Sequence, residues 1–162
     1  MGHRVSYSGP MFAGITHEHC VKAWEMVLPG IVRGAEMGLL RDVMGGMVVL
    51  NPADAEGEPL FTAGLGDEGE KYIGWATHKA RVAARERTDT SRLRQDFPYL
   101  YRAGDIKWPG GLYRGGLALG FSGVQGEYDE MICEWMAAAI RAMTRIEFAG
   151  AAATGGPFLG VE

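Results

Sequence analysis

The sequence predicts an α+β domain in which helices pack against an antiparallel sheet, and three observations predict it. The elements follow in the order helix, strand, strand, helix, short helix, strand, strand, helix, so sequential strands are close enough to pair as hairpins. The long helical segments each carry one apolar stripe that needs a covering layer. Twenty-five glycines in 162 residues gather in the proposed strands and turns, as tight turns and close backbone approaches require.

Residues 1–15 contain Pro10 and Gly14 and little periodicity, and read as an N-terminal arm ahead of a single domain over 16–149. Thr16 is placed to cap the first helix, with His19 where a capping box prefers Glu or Gln. Cys20, Trp24, Val27, Leu28, Ile31, Val32 and Ala35 recur at helical spacing. Pro29 is expected to kink or divide this helix by removing an internal hydrogen bond, and Gly38 to stop it. The apolar run 44–50 reads as a buried strand, the turn around Asn51, Pro52 and Gly57 as punctuation, and 59–65 as the partner strand.

Past Gly66 and Gly69, the residues Ile73, Ala76, Thr77, Ala80, Ala83, Ala84 and Arg87 share one face of a second helix, whose alanines imply close packing on the sheet. A short helix follows over 91–95, and 97–108 is a long surface connection of the kind that borders a site. Residues 112–113 and 117–124 supply the last strands. The final helix starts near Glu127, with Glu127, Asp129 and Glu130 complementing its dipole and Met131, Ile132, Trp135, Met136, Ala139, Ile140 and Met143 forming its buried face. Residues 150–162 are a small-residue tail.

Composition narrows the function classes. Hydrophobic residues at 47% and charged residues at 22% are globular values, and a formal net charge of −4 offers no basic footprint for nucleic acid. Cys20 and Cys133 lie far apart within helical patterns and suit buried free thiols rather than a disulfide or a zinc site, so no metal is expected. Neither a signal-like apolar segment at the start nor a membrane-spanning run is visible, so the expectation is a cytoplasmic protein with no membrane partner.

The pattern Ala76-x-x-Lys79-Ala80-x-x-Ala83, then Thr88 or Thr90, then Pro109-Gly110-Gly111, then Leu119-Gly120-Phe121-Ser122-Gly123, then Asp129 opening a helix, resembles the GlcG/HbpS family, also known as the haem-degrading or DUF336 domain. The resemblance covers about residues 16–143. It implies a profilin-like sheet packed by helices and a tendency to form homo-oligomers. It also implies a loose functional range: haem binding in some members, extracellular redox sensing in one branch, a cobalamin-associated domain in another, and catabolic-operon proteins in many. Haem is therefore the leading cofactor candidate. Two departures stand out. Asn51 occupies a place where the family usually carries Asp, and the segment between Gly111 and Gly120 is short and glycine-rich. Both are expected near the pocket, which points to a ligand different from that of the haem-binding members.

The candidate site residues are weighed against plain structural roles. Lys79 is either a carboxylate anchor or base at the glycine turn, or a lysine whose stem covers alanines. Gly110, Gly111, Gly123 and Ser122 are either a pocket wall presenting amides and a hydroxyl, or strand twist and turns. Asp129 is expected to be ionised by nearby amides and the dipole, orienting Lys79 or a substrate, or else to be an ordinary helix-start carboxylate. Thr90 belongs to the pattern as a pocket residue. Of the histidines, His17 is the ligand candidate because it shares a helix face with Cys20, His19 points elsewhere and His78 neighbours Lys79, the plain alternative for each being a solvated or core-satisfied side chain. Arg81, Arg85, Arg87, Arg92 and Arg94 form a basic run, solvated or subunit-facing, from which one arginine can clamp a carboxylate or haem propionate. Trp108, Tyr113 and Tyr99 are candidates for an aromatic wall, or for core packing. The resulting expectation is a protein that binds haem or another planar or anionic small molecule. The alternatives are a cofactor-independent enzyme acting on a small carboxylate or aromatic catabolite, with Lys79 as base or anchor, and a structural partner subunit.

Overall fold

The computed structural model describes residues 12–159, so most of the expected arm and the last three residues lie outside the described residues. The elements are α1 (His17–Glu36), β1 (Gly45–Val49), β2 (Phe61–Leu65), α2 (Gly69–Glu86), α3 (Thr90–Asp96), a 3-10 turn (Pro98–Leu100), β3 (Gly111–Arg114), β4 (Leu117–Ser122) and α4 (Gly126–Ala152). The four strands form an open antiparallel sheet in the order β2-β1-β4-β3. This is the α+β arrangement expected.

Strand pleating divides the core in two. Met47, Val49, Leu112, Leu119 and Phe121 point to the face covered by α1 and α4, where they pack with Ile31, Ile132, Met136 and Ile140. Val48, Leu50 and Ala118 point to the other face and meet Ala76 and Ala80 of α2. On that second face, every strand contributes a glycine directly beneath α2. A methyl group at Gly46 would overlap the backbone of Tyr72 and Ile73, one at Gly111 the Lys79 carbonyl, and one at Gly120 the Ala76 carbonyl; one at Gly64 would press on Gly69 at 3.1 Å. The helix backbone thus rides in a glycine groove, closer than any side chain on those strands would allow.

Three local expectations are revised. Pro29 does not divide α1, which runs unbroken through it. Pro29 and Glu25, the residue whose carbonyl loses its helical donor, are both exposed, on the side of α1 away from the core. The last helix continues past Gly150 to Ala152, because no αL stop or proline interrupts it there. The capping box at α1 is complete despite its histidine: His19 Nδ1 accepts from Thr16 N at 2.9 Å while Thr16 Oγ1 accepts from His19 N at 3.4 Å. Nδ1 being an acceptor, Nε2 carries the hydrogen and donates to Glu147 at 2.5 Å. Cys20 and Cys133 are free and buried, and burial pushes the Cys20 thiol up to about 12. Among the described residues, no helix is long and apolar enough to cross a membrane.

Candidate functional site

Lys79 lies on the sheet-facing side of α2, only 2% exposed, with its backbone over Gly111. Its side chain runs to the end of β4, where Nζ donates to the Phe121 carbonyl at 3.1 Å and to Asp129 Oδ2 at 3.2 Å. Asp129, in the first turn of α4 and 3% exposed, accepts with its other oxygen from Val124 N at 3.1 Å. Gly110, at φ +125°, makes room for this pair. A methyl group there would stand 3.0 Å from both Lys79 Nζ and Asp129 Cβ, and 2.5 Å from the Phe121 carbonyl oxygen. Thr90 is fully buried behind the pair, and its hydroxyl accepts from Gly111 N at 2.9 Å. Cys133 donates to the Gly110 carbonyl at 3.4 Å.

Desolvation is the largest influence on Asp129 and raises its pKa, against the pull of Lys79 and of the Val124 amide. The expected promotion of the ionised form by amides and dipole is therefore outweighed by burial. Cys133, enclosed beside the pair, has its thiol pushed well up for the same reason. An ion pair this buried costs desolvation energy that its attraction rarely exceeds, which makes it weak as a stabilising device.

The pair forms part of a cavity of about 460 Å³. Lys79, Ser122, Gly123 and Asp129 contribute to it from the end of the sheet, and the segment 124–127 closes one side with the N-terminus of α4. Tyr72 and Trp75 come from α2, Arg94 from α3, Trp108 and Pro109 from the connection before β3, and Arg41 from the connection after α1. The rim is cationic and aromatic. Arg94 stacks on Trp108 at 5.6 Å, Lys107 on the same ring at 5.0 Å, and Lys71 on Trp75 at 5.1 Å. Arg41 donates to the Gly123 carbonyl at 3.0 Å, and neither Arg41 nor Arg94 forms an ion pair with a carboxylate among the described residues. Glu127 is the exposed carboxylate of the lining.

The structure brings together Lys79, Asp129, Ser122, Gly110 and Gly123. Thr90 and Gly111 form a strut behind them rather than a wall. His17 is remote: it is exposed at the start of α1, its ring 5.8 Å from Phe61, while Cys20, with which it was paired, is fully buried in the core. Asn51 also lies away from the pair, at the opposite end of β1 in a turn bridged to Asp54. Gly115 and Gly116 likewise sit at the far end of β3 and β4, beside a second cavity of about 460 Å³ that also touches Pro52 and Arg141. Both departures from the family pattern thus fall away from the Lys79 cavity, correcting the expected placement. Within the arginine run, Arg85 pairs with Asp105 and Glu86, Arg92 pairs with Asp96, and Arg94 reaches the cavity. Of the aromatic candidates Trp108 lines it, Tyr113 packs beside α2, and Tyr99 is 75% exposed. Tyr72, Trp75 and Arg41 escaped the sequence reading. The first two stand seven and four positions before Lys79, a helical spacing that carried the signal. Arg41 comes from a distant loop and had none. Among the described residues, no cluster of three His, Cys, Asp or Glu side chains is placed to hold a metal.

No family model matches the chain, and no curated protein does. Solved structures do. HbpS of Streptomyces reticuli, crystallised as a double mutant, is 20% identical with a TM-score of 0.57, the match covering 85% of this chain and 97% of that one. Klebsiella pneumoniae ORFY, a DUF336 protein, is 13% identical with a TM-score of 0.58 over 88% and 98%. PduOC, solved as a complex with heme, is 20% identical with a TM-score of 0.57 over 78% and 95%. The resemblance carried by the motifs is thus met at the level of the fold.

Proposed function

We infer that this chain belongs to the GlcG/HbpS family and propose that it binds a small planar anion in the Lys79 cavity, with haem as the leading candidate. One observation carries the reading. A buried lysine and two arginines free of carboxylate partners converge, with Trp75 and Trp108, on one cavity of a chain whose net charge is negative. A ligand with both an anionic group and a flat face would engage these cations and indoles together.

The lining suits the organic part of a haem. Trp75 and Trp108 would supply aromatic surface to a porphyrin, and Arg41 and Arg94 donors to its propionates. For the iron, the lining contains Tyr72 as its single side chain of axial-ligand type, and neither His, Cys nor Met. Bound haem would supply redox and ligand-binding chemistry at that iron; the protein's part is to hold the macrocycle and exclude water. PduOC, a fold neighbour solved as a complex with heme, supports this choice of candidate.

The enzymatic alternative rests on the same Lys79. Donating to the Phe121 carbonyl and paired with the Asp129 carboxylate, its nitrogen is placed as an anchor for a carboxylate. Titration with hemin tests the leading reading. A shifted Soret band saturating at one haem per chain is expected, weakened several-fold in Arg94→Gln. A flat titration with folded protein would remove haem.

A further inference from the structure

We propose that the ligand this cavity is built for is a single-ring aromatic carboxylate, seated with its carboxylate on Lys79 and Ser122 and its ring toward Trp75 and Trp108. The proposal rests on the reading of the cavity as a site for a planar anion and departs from it in the ligand, a single ring in place of haem.

Donors and surfaces are graded with depth. At the floor, Lys79 is 2% and Ser122 is 4% exposed. An ammonium has three N–H groups, and Lys79 uses two, on Phe121 and Asp129. The Ser122 hydroxyl makes no side-chain hydrogen bond among the described residues and is not sealed from solvent, Arg81 Nε being the buried side-chain polar atom left without a partner, and Ser122 follows directly on the residue whose carbonyl holds Nζ. Two free donors at neighbouring positions match the two oxygens of one carboxylate. Phosphate, bulkier and doubly charged, is disfavoured because Asp129 shares the floor.

Toward the mouth the character changes. Trp75 and Trp108 are 45% and 51% exposed, each stacked with a cation, and Arg94 beside them has no carboxylate partner. Such indoles favour a flat π surface over an aliphatic one. The floor itself is charge-neutral, one ammonium against one carboxylate, so the incoming negative charge is balanced by Arg41 and Arg94, which outnumber the further lining carboxylate, Glu127. A volume of about 460 Å³ lies toward the lower part of the range for small-ligand cavities, which is roughly 300–1,000 Å³. Iron would find no imidazole, thiolate or thioether there.

Calorimetric titration of the whole protein with benzoate, cyclohexanecarboxylate, benzyl alcohol and hemin tests the class, with tryptophan fluorescence as a second readout. Benzoate is expected to bind and quench. Cyclohexanecarboxylate, equal in charge but not flat, binds about twofold to tenfold more weakly. Benzyl alcohol, flat but uncharged, binds about tenfold to a hundredfold more weakly. Ser122→Ala, which leaves the buried pair in place, weakens benzoate about threefold to tenfold, and Trp108→Leu erases the preference for the flat acid. Hemin bound with benzoate ignored overturns the single-ring class and leaves the cavity reading standing. Binding of neither overturns both. Benzoate binding that is equal to cyclohexanecarboxylate and unchanged in Ser122→Ala also overturns the class.

Discussion

Lys79 and Asp129 stand fifty residues apart in sequence, and the sequence left each open between a partner of the other at the glycine turn and an ordinary residue of its helix. Together they are a buried pair whose stabilising value is small by the general behaviour of such pairs. Replacing both, as Lys79→Met with Asp129→Leu, is therefore expected to change unfolding stability by less than about 2 kcal/mol in either direction. Lys79→Met alone, or Asp129→Leu alone, leaves one charge buried and costs about 3–5 kcal/mol. Urea denaturation of the three variants checks this, and the double variant is expected to lose ligand binding while keeping its fold. A second residue pair gives a pH signature. Arg85 donates both to Asp105 Oδ1 at 2.9 Å and to Oδ2 at 2.7 Å, and holds its carboxyl below the usual carboxylate range. The folded state then gives up this proton more readily than the unfolded chain. The contribution is complete above about pH 4 and is lost as pH falls through the lower folded value. Asp105→Asn should cost about 1.5–3 kcal/mol at neutral pH, with the gap from wild type closing in acid.

At the scale of elements, α2 is the decisive piece, because its register on the glycine groove sets where Lys79 emerges. Gly120→Ala would push a methyl group into the Ala76 carbonyl and is expected to cost at least about 2–3 kcal/mol, measured by chemical unfolding. Gly74, on the same helix with nothing within 4 Å of an added methyl group, is the control. Gly74→Ala should stabilise by about 1 kcal/mol. The elements themselves were readable because hydrophobic periodicity switches cleanly between helix and strand, and because Thr16, Gly38 and the acidic start of α4 mark boundaries. Pro29 does not divide its helix because it falls on the exposed side, away from the apolar stripe that holds α1 on the core. The close seat of α2 was foreshadowed by Ala76, Ala80 and Ala83, but the matching glycines only acquire meaning once β1 pairs with β4 across the sheet.

For the whole molecule, the two ends of the sheet are chemically different. One end carries the buried pair and the cationic, aromatic mouth; the other carries the Gly115-Gly116 turn, Asn51 and the second cavity. From sequence these could not be told apart, since strand direction and order decide which loops share an end. Hence Ser122 and Asp129 were placed with Lys79, while Asn51 and His17 were drawn toward a site they do not reach. A ligand that binds only the folded chain adds about 2.7 kcal/mol at a hundredfold excess over its Kd. The thermal midpoint should therefore rise with ligand in wild type and stay fixed in the Lys79→Met, Asp129→Leu variant. The most direct measurement is a crystal structure of the protein grown with hemin and, separately, with benzoate. Ligand density bounded by Lys79, Ser122 and Trp108 is the predicted result; density confined to the His17 and Phe61 surface or to the cavity beside Arg141 would contradict it.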